Sequence, residues 1–362
     1  MSIARDNHSQ LKTTGAASSR IEVLDFLRGI AALGVALHHF SNILDPGVLR
    51  SMGYYGQLGV QVFFVISGFI IPYSLYRGGY ELSNYPTFVI KRIIRLDPPY
   101  IVTLAIIIGL GILSWYFPFQ KDFVFEMSLP QVLLHFGYVN TFFGYPWLSD
   151  VFWTLAIEFQ YYILIGLIFP VIFSRNIWTR MISFAVLGSL AFIIPQPAFV
   201  FYFIFLFFMG IITCQLKIGL IGKRQYAALL VVFTALALVK MGMPATIAGF
   251  AAVVAILFLH VKNPIFRFLG MVSYSLYLIH SPIGRRALNV LLRATGAESQ
   301  GARIVLIVMA TGVSIFAAYL LYRYVERPSQ EWSAHFRYKR ERRKKKVEEM
   351  TREELEQLNP AL

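Results

Sequence analysis

Arg28 and His39 are the pair of side chains from which a reaction can be built. They stand eleven positions apart in an otherwise apolar stretch from Leu24 to His39. On a helix each residue turns about 100° and rises about 1.5 Å, so eleven positions make nearly three turns. Both side chains then share one face, roughly 16 Å apart along the axis. Arginine is a permanent cation that grips anions through charge-assisted hydrogen bonds. Neutral imidazole takes a proton from a hydroxyl, or carries a group covalently. Plainer readings compete with these: Asp25 lies three residues before Arg28 and can pair with it, and a histidine in an apolar helix can be a hydrogen-bonded packing residue. Ionisable groups inside apolar segments are nevertheless costly and usually face a cavity.

Further polar groups recur in apolar surroundings. Glu158 follows Trp153 in the run Trp153 to Tyr162, with Tyr162 at i+4 on the same helical face. A carboxylate placed there needs a partner, and His39, Arg28 or a substrate hydroxyl are the candidates. Arg92 and Arg95 are one helical turn apart, just before Pro98-Pro99. Such a pair grips a phosphate as readily as it anchors a cytoplasmic loop. His280 lies deep in the run Ser273 to Pro282, where spacing assigns it no role.

The elements that must position these residues are membrane spans. The 362 residues are 57% hydrophobic and only 14% charged, which is too apolar for a soluble domain of this length. About ten apolar runs, each near the roughly 20 residues a crossing needs, predict an all-α integral membrane protein, a polytopic bundle of about ten transmembrane helices. Their approximate bounds are 22 to 42, 57 to 76, 99 to 117, 151 to 173, 180 to 195, 199 to 216, 225 to 241, 245 to 261, 271 to 291 and 303 to 323. Small residues Gly29, Ala31, Ala32, Gly34 and Ala36 let neighbours approach the first span closely, which makes it central. The division is a polar tail over 1–20, a membrane domain over 21–328 and a charged tail over 329–362.

A net charge of +14 suggests nucleic acid in a soluble chain, but here the basic residues gather in alternate loops. That is topology rather than a nucleic-acid surface, and it places both termini in the cytoplasm. The connector after the ninth span disagrees: Arg285, Arg286, Arg293 and Arg303 fall outside, so they serve a purpose or a span is miscounted. The outer connector from Phe117 to Asp150, punctuated by Pro118, Pro130 and Pro146, suits an interfacial segment that roofs a cavity. Residues 337–346 hold eight basic side chains against one glutamate and suit anionic lipid headgroups. The one cysteine, Cys214, allows no internal disulfide and no cysteine-based metal site. The first apolar run, with Arg28, His38 and His39 inside it, is a retained span rather than a cleaved signal.

Taken in order, these segments resemble acyltransferase family three, the integral membrane O-acyltransferases of bacterial surface carbohydrates. The resemblance runs from about Ile21 to Pro328. It rests on Arg28 and His39 with ten residues between them, the Arg92 and Arg95 pair, Trp153 with Glu158 and Tyr162, the Ser273-Tyr274-Ser275-Leu276-Tyr277 stretch and the closing Glu326-Arg327-Pro328. It implies an acyl-CoA donor, most simply acetyl-CoA, no metal, and a carbohydrate acceptor such as a polysaccharide or lipid-linked sugar. It implies the bacterial inner membrane, with a second copy or polysaccharide-export proteins as the partners to expect. His39 and Glu158 become the catalytic candidates, Arg28, Arg92 and Arg95 the donor-binding ones, and Trp153, Tyr162 and His280 the acceptor-binding ones. Whether His39 acts as base or as acyl carrier stays open. A transporter or flippase is the rival reading, since intramembrane Arg, His and Glu also suit a substrate pathway. A scaffold in an export machine is the third.

Overall fold

A computed structural model describes residues 22–116 and 127–338. The N-terminal tail, the tip of the outer connector over 117–126 and nearly all of the basic run beginning at 337 lie outside the described residues. Within them every regular element is helical, the arrangement in which apolar segments satisfy their own backbone hydrogen bonds without water.

Fourteen α-helices follow in order among the described residues: α1 (Glu22–Phe40), α2 (Val48–Tyr55), α3 (Gly59–Arg77), α4 (Tyr85–Tyr116), α5 (Leu129–His135), α6 (Phe152–Ile172), α7 (Ile177–Ile193), α8 (Ile204–Lys217), α9 (Lys223–Met241), α10 (Met243–Phe258), α11 (Pro264–Ile279), α12 (Arg286–Thr295), α13 (Gln300–Leu321) and α14 (Arg327–Ala334). Seven helical runs, those containing α1, α3, α4, α6, α8, α9 and α13, are long and apolar enough to cross a membrane. The helices α7 and α10 are apolar but shorter.

Two predicted spans are redrawn. The third begins earlier than expected, because α4 runs through Pro98 and Pro99 instead of starting at them. Each proline removes a backbone donor; nearby, the Thr103 hydroxyl donates to the Pro99 carbonyl at 2.8 Å and Tyr274 donates from α11 to the Leu96 carbonyl at 2.8 Å. Arg92 and Arg95 therefore stand on a helix, not in a loop before one. The ninth span is broken: α11 passes into a π-helical turn at His280–Arg285 and continues as the amphipathic α12, where Leu288 is the one buried residue. Arg285, Arg286 and Arg293 belong to this break and Arg303 to α13, and α11 is not among the helices long and apolar enough to cross a membrane.

The first span is central, as its small residues predict. It packs against α11 and α3, and at its crossing with α11 a methyl group on Gly29 would come within 2.7 Å of the Leu269 Cβ. The crossing of α3 with α8 is as close, since a methyl on Gly210 would lie 2.7 Å from the Gly68 carbonyl carbon. Helices held this near by backbone contact present their polar side chains to one another across the bundle interior.

Candidate active site

Five helices, α1, α3, α4, α6 and α11, together with the turn before α14, enclose a cavity of about 910 Å³. The end carrying Arg77, Lys91 and Tyr338 is here called the basic end. Arg28, Arg92 and Arg95 all line it, so the two arginine motifs separated in sequence meet in space. They do so because Arg28 is nearly two turns into α1 while α4 extends far enough to carry its pair alongside. Five basic residues face the cavity against three acidic ones, Asp25, Glu158 and Glu326.

Two of the acids are tied down. The Glu158 carboxylate accepts from the Ser67 hydroxyl at 2.7 Å and from the Tyr162 hydroxyl. Glu326 accepts from Ser275 at 2.6 Å and from Gln330 at 2.8 Å, and it is near enough to attract both Arg28 and Arg95. The guanidinium of Arg92 stacks over Phe88 and Tyr162, 5.2 and 5.4 Å from their ring centroids, while its buried Nε makes no hydrogen bond. A buried donor held by aromatic faces and left without an acceptor is suited to an anionic ligand.

His39 is not in this cavity. It occupies the last turn of α1 at the opposite end, with Nδ1 3.3 Å from Oδ2 of Asp150. Arg285 donates to the same carboxylate oxygen at 2.7 Å, and Ser281 adds a side-chain hydrogen bond. Burial opposes ionisation of Asp150, but His39, Ser281 and Arg285 outweigh it and hold the carboxyl below the usual carboxylate range. The stabilisation is therefore complete at neutral pH and is lost only as pH falls through that lowered value.

The loop bearing Asp150 is fixed by a second histidine. His135, fully buried at the end of α5, hydrogen-bonds through Nδ1 to the Gln131 carbonyl at 2.7 Å and accepts the Leu148 backbone N–H on Nε2 at 3.2 Å. Burial lowers its pKa, which keeps the ring in the neutral form that this pattern needs. Gln131 also donates to the Pro146 carbonyl at 2.9 Å. Within 127–150, the described part of the outer connector, these bonds reach to two residues from the carboxylate that pairs with His39.

His280 stands beside His39, with ring centroids 5.2 Å apart. Its Nδ1 is 3.0 Å from the Leu276 carbonyl, so Nδ1 carries the proton and Nε2 is a bare acceptor, buried and without a partner. Between the histidines and the cavity runs a thin wall. The hydroxyls of Tyr277 and Thr154 are 2.6 Å apart, the Tyr277 ring lies 5.6 Å from Phe63, and its other neighbour is His280 at 6.0 Å. Phe63, Thr154 and Tyr277 line the cavity from below.

The structure thus sorts the predicted residues into two groups. Arg28, Arg92, Arg95, Glu158 and Tyr162 share the cavity, whereas His39 and His280 share the far end. Glu158 does not orient His39; Asp150 occupies that place. Trp153 joins neither group. It is five positions from Glu158, about 500° around the helix axis, and it packs on Phe203 at 5.9 Å. Sequence reasoning gave no role to Asp150 or Ser281, and counted Glu326 only as part of the closing motif. Arg285 was visible as an arginine on the wrong side, and the others carried no periodic signal.

Comparison with known proteins gives a consistent result. The pattern of the Acyltransferase domain family matches residues 21–323. Nodulation protein 10 of Rhizobium leguminosarum bv. viciae is 30% identical over 189 residues, 46% of this chain and 49% of that protein. The candidate membrane-bound transacylase BcsY of Komagataeibacter xylinus is 28% identical over 306 residues, 72% of each chain. The O-acetyltransferase OatA of Staphylococcus aureus is 26% identical over 165 residues, 42% of this chain and 25% of that protein. The chain therefore spans about half of the first of these and a quarter of the third. No solved structure matches it.

Proposed function

The chain belongs to the Acyltransferase domain family, and from that premise we propose that it moves an acyl group, most simply acetyl, from an acyl-CoA to a hydroxyl of a surface polysaccharide or lipid-linked sugar. The observation that carries this reading is the position of one helix, α1, which brings Arg28 to the cationic cavity and His39 to the polar cluster behind its far wall. An acyl-CoA has that polarity: phosphates at one end, thioester at the other, and a flexible arm between them. The roughly 16 Å from Arg28 to His39 along the helix is of the order of that arm.

In this reading Arg28, Arg92 and Arg95 hold the donor's phosphates by charge-assisted hydrogen bonds, with Arg92 Nε supplying a donor that has no acceptor of its own. The thioester reaches past Tyr277. His39 takes the proton of the acceptor hydroxyl as its oxygen attacks the thioester carbonyl. The tetrahedral intermediate then expels the thiolate of CoA, which recovers that proton from the imidazolium. Glu158 and Tyr162 act on the donor side of the wall, not on the base. The acyl-carrier alternative draws on the same wall, since a histidine between two spaces that do not meet suits a relay; label retained on protein without acceptor would select it.

Ten crossings, with both termini on the cytoplasmic side of a bacterial inner membrane, fit this assignment. The charged residues at the basic end then follow the positive-inside pattern, and a cytosolic donor enters the cavity from that end. The test uses purified full-length protein in nanodiscs with radiolabelled acetyl-CoA and crude lipid-linked and polymeric glycans. Transfer by the wild type that is lost in His39→Ala, with acetyl-CoA binding retained, is the expected result. A wild type that neither binds nor transfers from any acyl-CoA would return the transporter reading to first place.

A further inference from the structure

We propose that Asp150 is the positioning residue of the reaction, fixing His39 in the tautomer that carries its proton on Nδ1 and leaves Nε2 free to act, with Arg285 and Ser281 holding Asp150 in place. The inference rests on the acyltransferase reading for the word reaction, but its structural half stands on geometry alone. Three separate pieces of chain converge on one carboxylate: the end of α1 through His39, the loop before α6 through Asp150 itself, and the π-helical turn through Ser281 and Arg285. A π-helical turn inserts an extra residue into the helical ladder and re-aims the side chains it carries, and such turns recur at functional sites. Here it delivers both partners of Asp150.

The direction of the hydrogen bond follows from the charges. Arg285 can only donate, and with that donor on Oδ2 at 2.7 Å the carboxylate stays an acceptor. A neutral His39 that meets it at 3.3 Å must therefore present Nδ1–H. The ring then has one lone pair left, on Nε2, turned away from Asp150. The same tautomer is already enforced at His280 by the Leu276 carbonyl. Its ring lies 5.2 Å from that of His39, so two imidazoles protonated on Nδ1 and free to accept on Nε2 stand side by side, and an unprotonated Nε2 is what a hydroxyl that must lose its proton requires. A pairing that served packing alone would not need His39, since Arg285 and Ser281 already satisfy Asp150.

The experiment labels the full-length protein with ¹⁵N-histidine in nanodiscs and reads the His39 tautomer by solid-state NMR, the resonance being assigned by its loss in His39→Gln. The wild type is expected to show Nδ1–H. Asp150→Asn can turn an amide N–H toward Nδ1 and should shift His39 toward the Nε2–H form. In the acetyl-transfer assay its kcat should fall about 100-fold, the cost of a modest misplacement of a reacting group, with KM for acetyl-CoA unchanged and much of the loss recovered in Asp150→Glu. An Nε2–H tautomer in the wild type overturns the proposal whatever the variants do. So does an Asp150→Asn protein that keeps wild-type kcat. A wild type that transfers nothing yet holds Nδ1–H overturns the acyltransferase reading and leaves the pairing standing.

Discussion

The two ends of α1 solve different problems. At the basic end the walls of a cavity of about 910 Å³ hold five cations against three carboxylates, with Glu158 and Glu326 each accepting two hydrogen bonds and Arg95 close enough to feel both Arg28 and Arg92. At the histidine end a single carboxylate organises His39, Arg285 and Ser281. The first is redundant and spacious, which suits the proposed donor; the second is compact and has no spare part. Binding spread over many contacts degrades by steps, whereas chemistry focused on one atom does not.

The largest effect should therefore come from the compact end. His39→Ala is expected to lower kcat by about 10³, within the range that a general base contributes, while acetyl-CoA affinity in nanodiscs stays within error. Arg95→Ala is the counterpart at the other end. It removes one of three guanidinium groups and should raise KM for acetyl-CoA by about 10-fold to 100-fold, the worth of one charge-assisted hydrogen bond, with kcat within a few-fold of wild type. Should Arg95→Ala instead abolish kcat and spare KM, the division of labour between the ends breaks down.

The wall between the ends supplies a sharper test of intermediate size. Tyr277 closes the cavity through its hydroxyl contact with Thr154 and its edge against Phe63. Tyr277→Ala removes that partition and widens the opening through which the thioester reaches His39, so that water can enter beside it when no acceptor is bound. Acceptor-independent hydrolysis of acetyl-CoA, followed by release of free thiol, should rise several-fold over wild type. A variant whose hydrolysis stays at the wild-type level would mean that the partition is not what keeps water from the donor.

Most of this architecture was legible in the sequence, because its causes are local. Apolar runs near 20 residues predict spans, and each predicted span lies on a helix. The eleven-residue spacing put Arg28 and His39 on one face, and the small residues of α1 marked it as central. What failed depends on distance or on backbone irregularity. Prolines normally mark a helix start, yet α4 continues through Pro98 and Pro99. The π-helical turns at 280–285 and 322–326 have no periodic signature, so Ser281 went unnoticed and Glu326, though part of the closing motif, could not be placed in the cavity. Glu158 looked like the partner of His39 because it was the acid inside a span, while Asp150, one residue outside the predicted span, was passed over.

The smallest effect comes from a second ion pair at the histidine end, and it serves as the control on the first. Arg303 donates to Asp45 and to the Ile43 carbonyl at 3.1 Å, joining the start of α13 to the chain just after α1. It resembles the Arg285 and Asp150 pair in residue type and in reaching across the bundle, but no histidine shares its carboxylate. The Asp45 side chain is 55% exposed, and an ion pair that open to solvent contributes about 0–1 kcal/mol. Asp45→Asn should thus lower the unfolding temperature in nanodiscs by no more than a few degrees and leave kcat and the His39 tautomer as in wild type. If it instead reduced kcat as strongly as Asp150→Asn, the loss in both would have to be charged to the general fit of the connectors rather than to the atom that faces His39.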